Sequence, residues 1–192
     1  MAKSIILHGG NSDKKSRKND RFFREIISSI NGENVLVLCV YFARPQERWE
    51  ASYAEDQSIF RALGIETVRN IDTKMADYRT DDLLKDISEA DVIFINGGFK
   101  GHLKETLLQI GVDKFRKMTK DKVLVGISAG ANILGKYYYS QAVDGIREGI
   151  GLLDIKILTH FSSGSTKQLE LLRNYKEELP VVTIAEEEYV VI

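Results

Sequence analysis

The strongest chemical signal in the sequence is a serine between glycines at the end of an apolar run. Gly126-Ile127-Ser128-Ala129-Gly130 follows Val123-Leu124-Val125, and the residues after it predict a helix from near Ala129 to about Tyr139. Gly-x-Ser-x-Gly between a strand and a helix is the pattern of a nucleophile elbow. Small residues allow a sharp, strained turn that pushes the serine oxygen out at the carboxyl end of the sheet. Free N–H groups at the start of the helix, that of Ala129 first among them, are then placed to hold an oxyanion. The competing reading is a glycine-rich turn whose serine only caps the helix. The strand before it and the helix after it favour the nucleophile.

A serine nucleophile needs a base and a group to orient that base. His160 follows the apolar run Ile155-Lys156-Ile157-Leu158-Thr159, which places it at a strand's carboxyl end, on the edge where open α/β sheets gather their sites. His8 also ends a strand, before Gly9-Gly10, and is the rival; His102 reads as a surface or capping residue. Asp144, in the turn Ala142-Val143-Asp144-Gly145, is the first choice of acid, with Asp154 and Glu186 to Glu188 as alternatives. Asp-Gly is also an ordinary turn pair. Gly98, in Asn96-Gly97-Gly98 at the end of another apolar run, is placed to donate a second oxyanion hydrogen bond, since glycine lets the backbone approach a substrate closely. Arg44, after Tyr41-Phe42-Ala43, is a candidate for binding a substrate carboxylate, with a surface role as its alternative.

These groups require strands and helices in alternation. Ile5–Leu7, Val35–Tyr41, Ile65–Val68, Val92–Ile95, Val123–Ile127, Ile155–Thr159 and Val181–Ile184 read as strands, and Tyr189–Ile192 as a last edge strand. Asp20–Ile30, Glu47–Leu63 closed by Gly64, Asp81–Ile87 capped by Thr80, Lys100–Lys120 broken near Gly111, and Ser165–Glu178 read as helices. The alternation predicts a three-layer α/β fold, a doubly wound, mostly parallel sheet with helices on both faces. With 2 prolines and no Ser- or Gly-rich linker, residues 1–192 read as a single domain. The cationic run Asn11–Asp20 reads as a solvated loop, with substrate binding as its lesser alternative.

Composition excludes several classes. Lys+Arg 27 against Asp+Glu 28 gives a net charge of −1, so no global basic field holds nucleic acid or an anionic membrane. A single cysteine, Cys39, excludes a disulfide framework and a Cys-based zinc cage, and 3 histidines leave little for a metal site; neither metal nor cofactor is expected. Gly97-Gly98-Phe99-Lys100-Gly101 is not a dinucleotide fingerprint. The apolar runs are strand-sized and no signal-peptide pattern opens the chain, so a cytoplasmic location is expected. Tyr137-Tyr138-Tyr139 suits packing or a subunit contact, and a homodimer is one expectation from it.

Three blocks in order resemble the aspartyl dipeptidase (peptidase E) and cyanophycinase family of serine peptidases. They are Phe94-Ile95-Asn96-Gly97-Gly98, the elbow run Gly126-Ile127-Ser128-Ala129-Gly130-Ala131-Asn132, and Gly149-Ile150-Gly151-Leu152-Leu153 with Thr159-His160-Phe161. The resemblance implies a class I glutamine amidotransferase-like, flavodoxin-like fold and hydrolysis of a small peptide through an acyl-enzyme on Ser128. By it His160 is the base, Asp144 falls near the acid, and Gly98 and Ala129 form the oxyanion hole. Lys167 stands in the region where the family's dipeptidases hold the substrate's acidic side chain with an arginine. Phe99 and Lys100 occupy positions where the family has Asn-Thr, which makes Phe99 a candidate substrate contact. A serine esterase or acyltransferase and an inactive, ligand-binding member of the same fold are the alternatives; a glutaminase would need cysteine at position 128.

Overall fold

The structure, a computed structural model, describes residues 2–99 and 102–192, with Thr80 described by its backbone alone. Lys100, from which a helix was expected to begin, lies outside the described residues, as do Met1 and Gly101.

Strand β1 (Ser4–His8) leads through the polar run into helix α1 (Arg17–Ser28), which is capped by Ser16: its side chain accepts from the Asn19 N–H. Next come β2 (Asn34–Val40), a short 3-10 turn at Gln46–Arg48, and α2 (Trp49–Thr67). Helix α2 runs through Gly64 and over Ile65–Thr67, where the sequence predicts a strand. It stops at Val68, which is left-handed at φ 54° and returns its N–H to the Gly64 carbonyl. The strand expected there is β3 (Asn70–Met75), a half-buried edge strand whose alternating Asn-Ile-Asp-Thr-Lys-Met has no apolar run to announce it. Helix α3 (Thr80–Glu89), with Arg79 rather than Thr80 at its cap position, precedes β4 (Val92–Ile95). Helices α4 (Leu103–Ile110) and α5 (Val112–Met118) are separated at Gly111, as the periodicity predicts. Strand β5 (Val123–Ile127) ends in the elbow.

After the elbow the expectation changes. Helix α6 is only Ala129–Leu134, and Gly135–Ser140 is strand β6. Its three tyrosines alternate, Tyr137 and Tyr139 buried and Tyr138 facing the other way, which is the period of a strand. The turn at Asp144 then leads into β7 (Gly145–Glu148), β8 (Leu153–Thr159), a 3-10 turn at Ser163–Ser165, α7 (Thr166–Arg173), β9 (Val181–Ile184) and β10 (Tyr189–Val191).

The fold is the expected α/β class, but among the described residues its strands form two sheets. A six-stranded sheet runs β10-β1-β5-β4-β2-β3, parallel except for β10 at its edge; a four-stranded sheet runs β7-β6-β8-β9. On one face of the larger sheet Phe22, Phe23, Phe60 and Phe94 pack with Val37 and Val125. On the other, Leu7, Leu38, Ile93 and Leu124 meet Leu107 and Phe115, and this second core continues to Leu134 and Ile157 of the smaller sheet. Burial of side chains such as Phe22 and Phe94 contributes on the order of 2–3 kcal/mol each. Short α6 joins the sheets, packing on β5, β6 and β8. Strands β1, β4 and β5 end side by side at His8, Ile95 and Ile127, so their following loops share one edge.

Candidate active site

The elbow's glycines are explained by two close approaches. A Cβ on Gly126 would lie 2.8 Å from the Ala131 backbone, and one on Gly130 would lie 2.3 Å from the Ile95 carbonyl oxygen. The first glycine lets α6 fold back on β5, and the second lets it pass the end of β4. Between them Ser128 takes φ 49°, ψ −110°, a conformation with a cost on the order of 1–3 kcal/mol for a residue with a side chain. Its N–H donates to the His8 carbonyl (2.9 Å), which ties the turn to β1.

His160 follows β8, in the smaller sheet, yet its Nε2 lies 2.7 Å from Ser128 Oγ. The sheets are stitched at this point. The His160 N–H donates across to the Gly9 carbonyl (3.2 Å), just beyond β1, while Phe161 N–H donates within its own sheet to that of Ile184 (3.0 Å). Gly10 presses on the imidazole so closely that a Cβ there would lie 2.2 Å from Cε1, and its φ of +136° suits glycine alone.

The carboxylate at the far side of the ring is Glu186, whose Oε1 is 3.2 Å from His160 Nδ1. Asn11 Nδ2 donates to its Oε2 (2.5 Å). Asp144, the first choice from sequence, is placed elsewhere: it sits left-handed in the β6–β7 turn and accepts a hydrogen bond from the Tyr139 hydroxyl. The Glu186 loop lies against β1's continuation through Gly9 N–H to the Glu188 carbonyl and Glu187 N–H to that of Gly10, both 2.9 Å. The cationic run is largely exposed, as expected of a solvated loop, and it also pairs with the Glu186 loop: Lys14 with Glu187 (2.5 Å) and Lys18 with Glu188. The Lys14 ammonium holds the Glu187 carboxyl below its ordinary range.

The rival histidine is occupied. Gly10 N–H donates to His8 Nδ1 (3.2 Å), which leaves the proton on Nε2 to donate to Asn19 Oδ1 (3.0 Å). Burial lowers its pKa to about 4, so it is neutral at pH 7. Asn19 in turn donates to the Asn11 and Lys14 carbonyls, both at 2.7 Å. His8 thus braces the loop that reaches Glu186. His102 is exposed and bonded to Glu105 (2.8 Å).

Two clefts meet at Ser128 and His160. The narrower, about 210 Å³, includes Gly98, Ala129, Asn132, Tyr138 and Thr159; the wider, about 690 Å³, includes Asn11, Arg44, Arg48, Glu55 and Gly97. Phe99, 86% exposed, stands at the rim of both. Lys167 is an exposed residue of α7 and lines neither. Arg44 is turned inward: Nε donates to the Gly97 carbonyl (3.0 Å), Nη1 to Ser52 Oγ (2.7 Å) and Nη2 to Asn96 Oδ1 (2.9 Å). Behind it lies Asp56, which accepts from Tyr41 (2.7 Å) and Asn96 (2.9 Å). Burial pushes the Asp56 carboxyl up to about 6 against the pull of those bonds and of Arg44. Cys39 is buried and its thiol is pushed up by that burial, which leaves it unreactive. Among the described residues no group of three or more His, Cys, Asp or Glu is placed to hold a metal, and no helix is long and apolar enough to cross a membrane.

Gly10, Asn11 and Asn19 were not singled out in the sequence as supports of the imidazole and its carboxylate. Gly10 carried the one available signal, a glycine pair directly after a strand.

None of the curated proteins compared with this chain matches it. The solved structure of a peptidase from an acI-B1 Actinobacterium superposes with a TM-score of 0.73 at 19% identity, over 98% of this chain and 82% of that one, a likeness of fold. The profile of peptidase family S51, the family of peptidase E and cyanophycinase, matches residues 5–192. With that match spanning nearly its whole length, and a serine at the elbow, the chain belongs to peptidase family S51 and is a serine-type peptidase.

Proposed function

We propose that this peptidase cleaves a peptide bond in a small peptide through an acyl-enzyme on Ser128. The observation that carries the reading is the 2.7 Å contact between Ser128 Oγ and His160 Nε2 at the junction of the two clefts. Nε2 accepts the hydroxyl proton as Oγ bonds to the substrate carbonyl carbon, while Nδ1–H donates to Glu186. The carbonyl π electrons move to oxygen, and the N–H groups of Gly98 and Ala129 hold the charge. Ala129 opens a helix, so its N–H has no intrahelical acceptor. Collapse of the adduct breaks the C–N bond as His160 returns its proton to the leaving amine. Water, deprotonated by the same imidazole, then splits the ester and frees Ser128.

Glu186 is the group that orients His160 in this reading, with Asp144 confined to its turn. Small substrates suit clefts of this size, and no further ligand is needed for the steps above. A fluorophosphonate probe tests the proposal. Labelling at Ser128 that is lost in His160→Ala, together with release of an amine from a dipeptide panel, is the expected result. A folded, unlabelled wild type would instead favour a ligand-binding member of the fold, and labelling with turnover of esters alone would favour an esterase.

A further inference from the structure

We propose that Arg44 is a positioning residue for the oxyanion site, acting through the Gly97–Gly98 peptide; the inference rests on the reading of Ser128 as nucleophile. A trans peptide is planar, and its C=O and N–H point in opposite directions. Fixing the Gly97 oxygen therefore fixes the Gly98 N–H. Arg44 Nε donates to that oxygen at 3.0 Å from the side of the wider cleft, while Gly98 also lines the narrower one with Ser128 and Ala129. The N–H is thereby directed away from Arg44 and toward the cleft that contains the other oxyanion donor.

The peptide is also gripped at its flanks. A Cβ on Gly97 would lie 2.9 Å from Ser128 Cβ, and one on Gly98 would lie 2.1 Å from the Ala43 carbonyl oxygen. The glycine pair is sandwiched between the nucleophile and the Ala43–Arg44 backbone, and that backbone is held by Trp49 Nε1 donating to the Arg44 carbonyl (3.0 Å). Glycine is needed for the fit, but it offers little resistance to rotation of the peptide, so an external clamp is required. Asn96 supplies the other half of it. Its Nδ2 is committed to the Asp56 carboxylate, which turns Oδ1 toward both Arg44 Nη2 and the Gly97 N–H (2.8 Å). Asn96, Asp56 and Ser52 are at most 7% exposed, so the clamp is built into the core of the site. Three of the guanidinium's five N–H donors are spent on it.

The test is Arg44→Met, with steady-state hydrolysis and inhibition by a peptide aldehyde, whose adduct with Ser128 carries the oxyanion. Loss of one oxyanion donor outright lowers turnover about 10²–10³-fold, and loss of its clamp should lower kcat about 10- to 100-fold. KM should stay within a factor of about three, because the contact acts in the transition state. Aldehyde affinity should fall by the same factor as kcat/KM. Arg44→Lys covers the case in which the methionine variant does not fold; it keeps the charge but lacks the fork, so kcat stays low. A raised KM with kcat intact would overturn the proposal in favour of a substrate-carboxylate contact, and unchanged kinetics in both variants would overturn it outright. A wild type that neither labels nor turns over would remove the nucleophile reading itself, and this inference with it.

Discussion

The elbow and the loop that faces it from the other sheet solve the same problem by different means. Ser128 is set by its immediate neighbours: Gly126 and Gly130 decide how α6 leaves β5, and both lie within two residues of it. The other half is gathered from across the chain. Glu186 is 26 positions from His160 and 175 from Asn11, and Gly10 shapes the imidazole's seat from the end of β1. A nucleophile can be written locally. The groups that would activate it depend on β10 pairing with β1 and on β8 ending beside Gly9, and so on the whole topology.

The contrast can be broken from either side. Gly10→Ala has the largest expected effect: its Cβ would displace the His160 ring, so fluorophosphonate labelling of Ser128 should fall about 10³-fold or more, as for loss of the base. Circular dichroism should show a fold close to wild type. Gly130→Ala attacks the local half instead, pushing α6 off the Ile95 carbonyl, and should lower the melting temperature along with the labelling.

His8 sharpens the comparison through pH. Its native pKa of about 4 lies below the ordinary 6.5, so the unfolded chain binds the extra proton between those values and stability falls as pH drops through them. The full difference is about 3 kcal/mol, complete above pH 6.5 and lost toward pH 4. Thermal melts across this range should show a steep acid loss in the wild type and a shallower one in His8→Gln. Parallel slopes would remove His8 as the brace. The smallest effect belongs to the Lys14–Glu187 pair, which is exposed at the lysine end. Added salt should lower wild-type turnover modestly toward that of Lys14→Ala, and a variant with the same salt dependence as wild type would contradict this.

The same division governs what could be read in advance. Ser128, its strand and the edge it occupies followed from local pattern, and so did His160 at the end of β8. The carboxylate beside the imidazole was legible only as an alternative: Asp144 lies between serine and histidine in sequence and ranks first, while nothing local separates Glu186 from Glu187, Glu188 or Asp154 until β10 is paired with β1. Arg44 was legible as a cation on the right edge, but only packing shows its donors turned inward. The elbow helix was extended to Tyr139 because α6, at 6 residues, is too short for periodicity to mark its end, and Gly135 changes the chain to a strand there. Edge strands β3 and β7, half-buried and polar, carry no apolar run at all.

In the proposed mechanism His160 activates Ser128 with a carboxylate supplied across the fold. The most direct test is the rate of fluorophosphonate labelling of Ser128 in wild type, Glu186→Gln and Asp144→Asn at pH 7. Glu186 is half exposed and its bond to the ring is 3.2 Å, so its loss should slow labelling about 10- to 100-fold, less than for a fully buried triad acid. Asp144→Asn should label at the wild-type rate. The reverse pattern, with Asp144→Asn slow and Glu186→Gln unchanged, would put Asp144 rather than Glu186 behind the imidazole.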